Sequence, residues 1–223
     1  FPNSGIGAGT NCVYTDGAYV SGTGCVKNIY STDNAFAALF SDGSVKVWGQ
    51  DEYGGEISSG VNTITPTGET DKVVEIFTTS WSFAALKADG TVQLWGSESF
   101  GGKIMIDGVG VVSTITPTGE TDKIVTISGT EQAFAAVKVD GSVLVWGDSG
   151  YGGIISSGVD TITPTGAADK IVKIFSASRA FAAVKSDGSV QVWGSSTRGG
   201  TDPEIAAGTN CVYTDGAYVS GTG

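Results

Sequence analysis

The sequence predicts an all-β protein built from four similar repeats of about 50 residues. Four segments share one pattern, in which two short runs with apolar residues at alternate positions are joined by Asp-Gly. Alternation with a period of two is typical of half-buried strands, and Asp-Gly between two such runs predicts a β-hairpin with a type I′ turn. The four segments span residues 35–49, 82–96, 133–147 and 180–194.

The aromatic residues of these segments recur every 47 to 51 residues. A period of this length indicates stacked structural repeats, for which propellers and solenoids are the leading candidates. Because the aromatic side chains lie on alternating strands, we expect them to form the core of each repeat. They are Phe36, Trp48, Phe83, Trp95, Phe134, Trp146, Phe181 and Trp193.

Each hairpin is flanked by further recurring segments. An apolar run such as VVEIFT, from Val73, precedes it and predicts a third strand. An aromatic residue and Gly-Gly follow the tryptophan, except that Arg198 replaces the aromatic residue in the fourth repeat. We expect this Gly-Gly segment to turn the chain sharply out of the sheet. A segment close to TITPTGETDK then leads to the next repeat, and its proline favours an edge strand or a connection.

The repeat resembles that of the regulator of chromosome condensation family. The shared features are V-x-x-I, Ala-Phe-Ala-Ala, Asp-Gly-Ser-Val and Trp-Gly with a trailing Gly-Gly, and they extend from Val26 to about Gly200. Members of that family fold as β-propellers of about seven blades, so the resemblance implies propeller-like blades here.

The chain departs from the family pattern in several respects. Four repeats are fewer than a full ring, and an aromatic residue with Gly-Gly replaces the family's Gly-Gln-Leu-Gly. The family's histidine-containing approach to the hairpin is Ala35-Phe36 here, and no residues match the loops and wedge of the exchange factor. The resemblance therefore implies the blade and not the exchange activity.

The two ends of the chain carry an identical stretch of 17 residues, Ala8–Gly24 and Ala207–Gly223. Alternating apolar residues around its Asp-Gly predict another hairpin. Both copies would compete for the place beside the strand from Val26, so we predict an open or tandem array rather than a closed ring. The predicted units are the tail of a preceding unit at 1–24 and repeats at 25–72, 73–123, 124–170 and 171–223, the last ending in the duplicated hairpin.

Cys12 and Cys25 flank the first copy of this hairpin and could close it with a disulfide. Cys211 has no counterpart, because the position corresponding to Cys25 would follow Gly223 directly. An odd number of cysteines in a secreted protein otherwise implies an intermolecular bridge or a free thiol. The alternative is three buried thiols without any bond.

The charge and the residue types exclude several classes of function. Lys and Arg number 12 against 23 Asp and Glu, and this net charge of −11 disfavours nucleic acid and anionic membranes as partners. No apolar run is long enough for membrane insertion. The chain has no histidine, which removes Ser/His/Asp and Cys/His catalysis and nearly every catalytic zinc site. The acidic loop residues lack the spacing of a calcium loop, so we predict no metal and no cofactor.

Two features break the repeat and are candidate contact sites. Trp81 replaces Asn34, Gln132 and Arg179 of the other repeats, and an exposed contact and an edge-of-core role fit it equally. The second repeat carries four extra residues within the apolar stretch IMIDGVGVV, which we expect to pack as an added strand or to form a contact patch. The contact residues of that patch would be Met105, Ile106 and Val111.

These features predict a non-enzymatic structural repeat protein outside the cell or at its surface. The chain would be a building unit of a filament, sheath or adhesin, joined to copies of itself by strand pairing and disulfides. The alternative is a β-propeller binding module that takes a carbohydrate or a protein ligand near Trp81 and the insertion. A hydrolase working through acidic residues ranks third, because no pair of carboxylates stands out in the sequence.

Overall fold

The computed structural model describes residues 9–15, 18–106, 110–155, 160–201, 209–214 and 217–222. Within these residues the chain is almost entirely β-strand, joined by turns and by four 3-10 turns. The strands are β1 (Thr10–Thr15), β2 (Ala18–Thr23), β3 (Val26–Ser31), β4 (Ala35–Phe40), β5 (Val45–Gly49), β6 (Thr63–Ile64), β7 (Val73–Thr78), β8 (Ser82–Lys87), β9 (Val92–Gly96), β10 (Ile104–Ile106), β11 (Gly110–Val112), β12 (Thr114–Ile115), β13 (Ile124–Gly129), β14 (Ala133–Lys138), β15 (Val143–Gly147), β16 (Thr161–Ile162), β17 (Ile171–Ser176), β18 (Ala180–Lys185), β19 (Val190–Gly194), β20 (Thr209–Thr214) and β21 (Ala217–Thr222). The 3-10 turns are Asp51–Tyr53, Glu98–Phe100, Ser149–Tyr151 and Ser196–Arg198.

The repeats form separate antiparallel sheets, which we call blades 1 to 4. Blade 1 has the order β3-β4-β5-β6, blade 2 the order β7-β8-β9-β12 and blade 3 the order β13-β14-β15-β16. Blade 4 has β17-β18-β19 within the described residues. The predicted all-β class and the four blades of about 50 residues are confirmed.

The Asp-Gly hairpin turns differ from the type I′ turn that we predicted. In blade 1 the Gly43 amide donates to the Phe40 carbonyl at 3.0 Å, and the Phe40 amide donates to the Ser44 carbonyl at 2.9 Å. Only the glycine has a left-handed φ, of 82°, so the loop is a type I turn followed by a glycine bulge. The Asp42 carboxylate stabilises this loop, because it accepts hydrogen bonds from the Ser44 hydroxyl and amide at 2.6 and 2.9 Å. The hydroxyl bond is the main reason that the pKa of Asp42 is lowered.

The predicted sharp turn after each tryptophan is a 3-10 turn that ends at a left-handed glycine. In blade 1 this glycine is Gly54, with a φ of 92°. The next glycine, Gly55, lies so close to Gly49 that a Cβ atom there would stand 2.5 Å from the Gly49 carbonyl oxygen. The second glycine is therefore required by close backbone approach rather than by its φ angle.

The same type of contact joins each pair of successive blades, and it occurs three times in the chain. The Trp95 indole nitrogen donates to the Gly54 carbonyl of the preceding blade at 3.1 Å. The ring of Phe83 stacks on Trp95 at 5.1 Å and covers Gly54, where a Cβ atom would lie 2.6 Å from the ring. The same indole bond, also 3.1 Å, joins Trp146 to Gly101 and Trp193 to Gly152. Blades 2, 3 and 4 thus each anchor their aromatic pair in the glycine turn of the blade before them.

The hydrophobic core lies between the blades rather than within one of them. Small aliphatic residues of one blade, such as Ala37 and Val47, face the aromatic pair of the next blade, Phe83 and Trp95. All four side chains are buried. The contacts between blades 2 and 3 and between blades 3 and 4 have equivalent residues in equivalent roles.

Phe36 and Trp48 correct the expectation that all eight repeated aromatic residues form the core. They stack on each other at 5.4 Å, as the other three pairs do, but they are 45% and 37% exposed. The six equivalent residues in blades 2 to 4 are buried. The difference arises because an aromatic pair is buried by the preceding blade, and blade 1 has no such neighbour among the described residues.

The loops between the first two strands of the blades meet at a common axis. The Asp33 amide donates to the Ser80 carbonyl at 3.0 Å, Ser80 to Glu131 at 2.9 Å, and Glu131 to Ser178 at 3.0 Å. These loops line a polar cavity of about 440 Å³. The blades therefore follow one another around an axis in chain order.

The Thr-Pro segments supply the edge strands β6, β12 and β16 and then cross to the next blade. In the second segment the Asp122 carboxylate accepts hydrogen bonds from the amides of Thr118 and Gly119, at 2.8 Å each. The Thr118 amide contributes most to a pKa of Asp122 that is lowered to about 2. The segment thus folds into a carboxylate-bonded turn before it enters blade 3.

The cysteine hairpin enters blade 1 where the Thr-Pro segments enter the other blades. The Cys25 carbonyl accepts a hydrogen bond from the Ser41 amide at 2.8 Å, as the Lys72 carbonyl does from Ala88 at 2.9 Å. The predicted bridge between Cys12 and Cys25 is present, with a Cα separation of 5.7 Å, and the three-thiol alternative is therefore wrong.

Both copies of the duplicated stretch form hairpins in the same register, β1–β2 and β20–β21. Their Asp-Gly turns and residues 1–8 lie outside the described residues, as does the side chain of Cys211. In the part of the chain that the structure describes, no helix has the length and apolar character needed to cross a membrane.

Candidate protein-contact surface

The four-residue insertion of the second repeat forms a small hairpin at the outer edge of blade 2. Strands β10 and β11 pair with Ile104 opposite Val112 and Met105 opposite Val111. Because side chains alternate across a strand, the hairpin has an inner and an outer face. Ile104 is buried in the core between blades 2 and 3, and Ile106 and Val112 pack against that core.

The outer face of this hairpin is apolar and exposed. Met105 is 60% exposed and Val111 is 56% exposed. The inner face already fills the core, so neither outer side chain is needed for packing. Of the three contact residues predicted in the insertion, the structure thus places Met105 and Val111 together on the surface and Ile106 against the core.

The corresponding loop of the first repeat shows what the insertion adds. There the chain turns through a single bridge between Ser58 and Val61, and Ile57 occupies the core position of Ile104. In the third repeat this loop falls at residues 156–159, outside the described part. The second repeat replaces this short turn with a pair of strands that carries Met105 and Val111 outward.

Two cavities lie beside the insertion hairpin, between blades 2 and 3. The larger, of about 470 Å³, is lined by Met105 and Val111 together with Ile154 and the edge of Trp146. The smaller, of about 360 Å³, is lined by apolar and polar residues that include Ile106, Pro117 and Lys138. The hairpin therefore projects between two concave surfaces, and we call Met105, Val111 and the larger cavity the insertion surface.

Charged side chains border the insertion surface. Lys103 forms an ion pair with Glu98, and both line the larger cavity. Asp160, which is exposed, lines the same cavity. The border thus carries more negative than positive charge, in keeping with the net charge of −11.

Trp81 lies apart from the insertion surface, since it lines neither of these cavities. It is half-buried and stacks on Tyr53 of the preceding blade at 4.1 Å, with Phe100 tilted against it at 5.2 Å. Arg179 holds the same position in blade 4 and lies over the Tyr151 ring at 4.4 Å. This position therefore joins neighbouring blades, which the sequence did not reveal because the stacking partner belongs to the preceding repeat.

The acidic loop residues that the structure describes form no cluster suited to a metal ion. Asp148 accepts a hydrogen bond from the Gly150 amide at 2.8 Å and so caps its own 3-10 turn. Among the residues that the structure describes, no three histidine, cysteine, aspartate or glutamate side chains gather as potential ligands.

Comparison with known proteins finds similarity in fold. No protein-family profile matches the sequence, and no curated protein sequence matches it either. The crystal structure of human WBSCR16 is similar to this chain with a TM-score of 0.53 and 22% identity, covering 76% of this chain and 48% of that one. Yeast RCC1 (Prp20) in complex with Kap60 has a TM-score of 0.52 and 18% identity, covering 77% and 44%.

A structure of Prp20p from Saccharomyces cerevisiae alone gives a TM-score of 0.52 and 18% identity, covering 88% of this chain and 49% of that one. The chain thus spans about half the length of the solved structures that it resembles. The resemblance of its blades to those of the regulator of chromosome condensation type, inferred from the repeat pattern, is confirmed.

Proposed function

We propose that this chain is a propeller-like binding module that recognises a protein partner through the insertion surface. The observation that carries the proposal is the exposed Met105–Val111 pair on a hairpin whose other face is part of the core. An apolar patch with a polar border is the usual character of a protein-contact site. The similar structures support this role indirectly, because one is of RCC1 bound to Kap60 and another concerns binding of Prp20p to Gsp1p and histones.

The charge of the border indicates the chemistry of the partner. Glu98 and Asp160 outweigh Lys103 around the larger cavity. Complementary charge speeds encounter and selects among partners more than it adds affinity. The partner would therefore present apolar side chains flanked by Lys or Arg.

A carbohydrate ligand is less well supported than a protein. Sugar binding through Trp81 would use an open aromatic face, and the Trp81 ring is stacked on Tyr53 with Phe100 tilted against it. The chain also has no histidine for the commonest catalytic arrangements, and we propose that it acts by binding rather than by catalysis. The disulfide between Cys12 and Cys25 supports a location outside the cell or at its surface.

Binding of a fluorescent peptide with alternating Leu and Lys residues tests the proposal. We expect Met105→Glu and Val111→Glu each to weaken binding by about 30-fold or more, as for an interface hot spot of about 2 kcal/mol. The matched control is Val61→Glu, in the shorter loop of blade 1, which should leave the affinity unchanged. Fluorescence anisotropy gives the dissociation constants.

Two results would contradict the assignment. One is an equal loss of binding in Val61→Glu, since the effect would then follow from added charge rather than from the insertion. The other is specific binding to a glycan array that disappears in Trp81→Ala, because the contact residue would then be Trp81 and the ligand a carbohydrate.

A structural role is the second candidate, in which the chain is a unit of a filament, sheath or adhesin joined to copies of itself. It is favoured by the uncovered Phe36 and Trp48 on blade 1. Non-reducing mass measurement on material from the native source tests it. Very large species that collapse on reduction would support this role, whereas a uniform species of 22.6 kDa would contradict it.

A further inference from the structure

Blade 1 presents one half of the contact that joins successive blades. Its outer face carries Ile29, Phe36 and Trp48, of which Ile29 is 52% exposed. The corresponding residues of blade 2, Ile76, Phe83 and Trp95, are buried against blade 1. Blade 1 therefore leaves uncovered the residues that blades 2 to 4 bury.

Blade 4 presents the other half of the same contact. The glycine that follows its 3-10 turn, Gly199, is exposed, and of the residues that the structure describes a Cβ atom there would meet only the Ala180 Cβ atom, at 3.9 Å. The equivalent glycine of blade 1, Gly54, is covered by the ring of Phe83. Val192 is half-buried, whereas the equivalent Val145 of blade 3 is buried against Trp193 and its neighbours.

The hydrogen-bond donors and acceptors at the exposed faces of blades 1 and 4 are complementary as well. Within the chain, the same three hydrogen bonds recur between each successive pair of blades, as blades 1 and 2 show: Trp95 indole to Gly54 carbonyl, Val73 amide to Gly43 carbonyl, and Asp33 amide to Ser80 carbonyl. At the two ends of the chain the equivalent groups are the Trp48 indole and the Gly199 carbonyl, the Val26 amide and the Gly188 carbonyl, and the Ser178 amide and the Asp33 carbonyl. Among the described residues, none of these three bonds is present within the chain.

We propose that blade 4 of one copy docks head to tail on blade 1 of a second copy, in the arrangement that joins neighbouring blades within the chain. The contact is continuous with an interface that the molecule already builds three times. It is independent of the insertion surface, and it names the self-contact that the second candidate function requires.

Two residues at the ends of the chain differ from their equivalents in the other repeats and would make the contact between copies more polar. Inside the chain, Trp81 stacks on Tyr53 and Arg179 lies over Tyr151. At the ends, Asn34 takes the place of Trp81, and Arg198 takes the place of Tyr53. An amide oxygen can accept a hydrogen bond from a guanidinium, so polar pairing replaces aromatic stacking there.

The head-to-tail geometry determines how the assembly grows. Each added copy leaves one free blade 1 and one free blade 4, so association continues until a ring closes. The place beside β3 is held by β1–β2 through the Cys12–Cys25 bridge. The docking therefore uses the sheet faces and leaves the β20–β21 hairpin of the first copy outside the contact.

Complementation between two blocked variants of the full chain tests the proposal. Trp48→Glu blocks the blade 1 face, and Val192→Glu blocks the blade 4 face. We expect each variant to be monomeric by light scattering, with self-association weakened about 30-fold or more, as for a hot-spot residue. Mixing them should restore one intact contact and give a heterodimer with one copy of each.

The control is Met105→Glu, which lies outside the proposed contact and should associate as the wild type does. Ile29→Glu replaces Trp48→Glu if circular dichroism shows that Trp48→Glu fails to fold. A wild type that stays monomeric up to millimolar concentration would overturn the proposal, as would a mixture that does not pair. Peptide binding measured on the same samples separates this outcome from failure of the insertion surface.

Discussion

Trp146→Ala is expected to lower the free energy of unfolding by about 3–5 kcal/mol, the usual cost of removing a buried tryptophan. The Trp146 side chain is buried between blades 2 and 3, stacks on Phe134 at 5.3 Å and donates to the Gly101 carbonyl at 3.1 Å. Truncation would leave a cavity and an unpaired carbonyl at the same point. Urea unfolding followed by circular dichroism measures the change.

Trp48→Ala is the matched control, because it is the same substitution at the same repeat position. We expect a loss of less than about 1 kcal/mol in dilute solution, as for a surface substitution, since no blade among the described residues packs against Trp48 from the preceding side. Equal losses in the two variants would show that the tryptophans stabilise their own blades rather than the contact between blades.

Gly101→Ala is the second substitution with a large expected effect. A Cβ atom at this position would lie 2.7 Å from the Phe134 ring, and the φ of Gly101 is 103°. Two costs therefore add, namely left-handed strain of about 1–2 kcal/mol and overpacking of about 1–3 kcal/mol. We therefore expect urea unfolding to show that Gly101→Ala lowers the free energy of unfolding by the sum of these costs, about 2–5 kcal/mol.

Gly199→Ala separates the two costs. Gly199 has nearly the same φ, 99°, but a Cβ atom there meets only the Ala180 Cβ atom, at 3.9 Å, in the described part of the chain. It should therefore show the backbone cost alone, so that the difference between the two variants measures how tightly blade 3 packs on blade 2. A loss in Gly199→Ala as large as that in Gly101→Ala would contradict the packing described between blades.

The strands and blades could be predicted because alternation and the aromatic period directly reflect sheet geometry. The type of the Asp-Gly turn could not be predicted, since Asp-Gly fits a type I turn followed by a glycine bulge as well as the type I′ turn. The hydrogen bonds from Ser44 to Asp42 accompany the three-residue loop that the structure shows. The exposure of Phe36 and Trp48 could not be predicted either, because a pattern shared by all four repeats does not indicate which aromatic pair is left uncovered among the described residues.

The candidate site was located by a difference in length between repeats. Which of its side chains face outward depends on the register of β10 and β11, and that register places Met105 beside Val111 and turns Ile106 toward the core. The contact of Trp81 with Tyr53 joins residues 28 positions apart in different repeats, and no local pattern encodes it.

We conclude that the same contact joins all successive blades and that its residues are uncovered on blade 1. Hydrogen exchange of the tryptophan indole N–H groups, measured by NMR in dilute solution, tests this conclusion directly. Trp95, Trp146 and Trp193, each bonded to a glycine carbonyl of the preceding blade, should exchange slowly. Trp48 should exchange at the rate of an exposed indole. Slow exchange at Trp48 under these conditions, or fast exchange at any of the other three, would contradict the account.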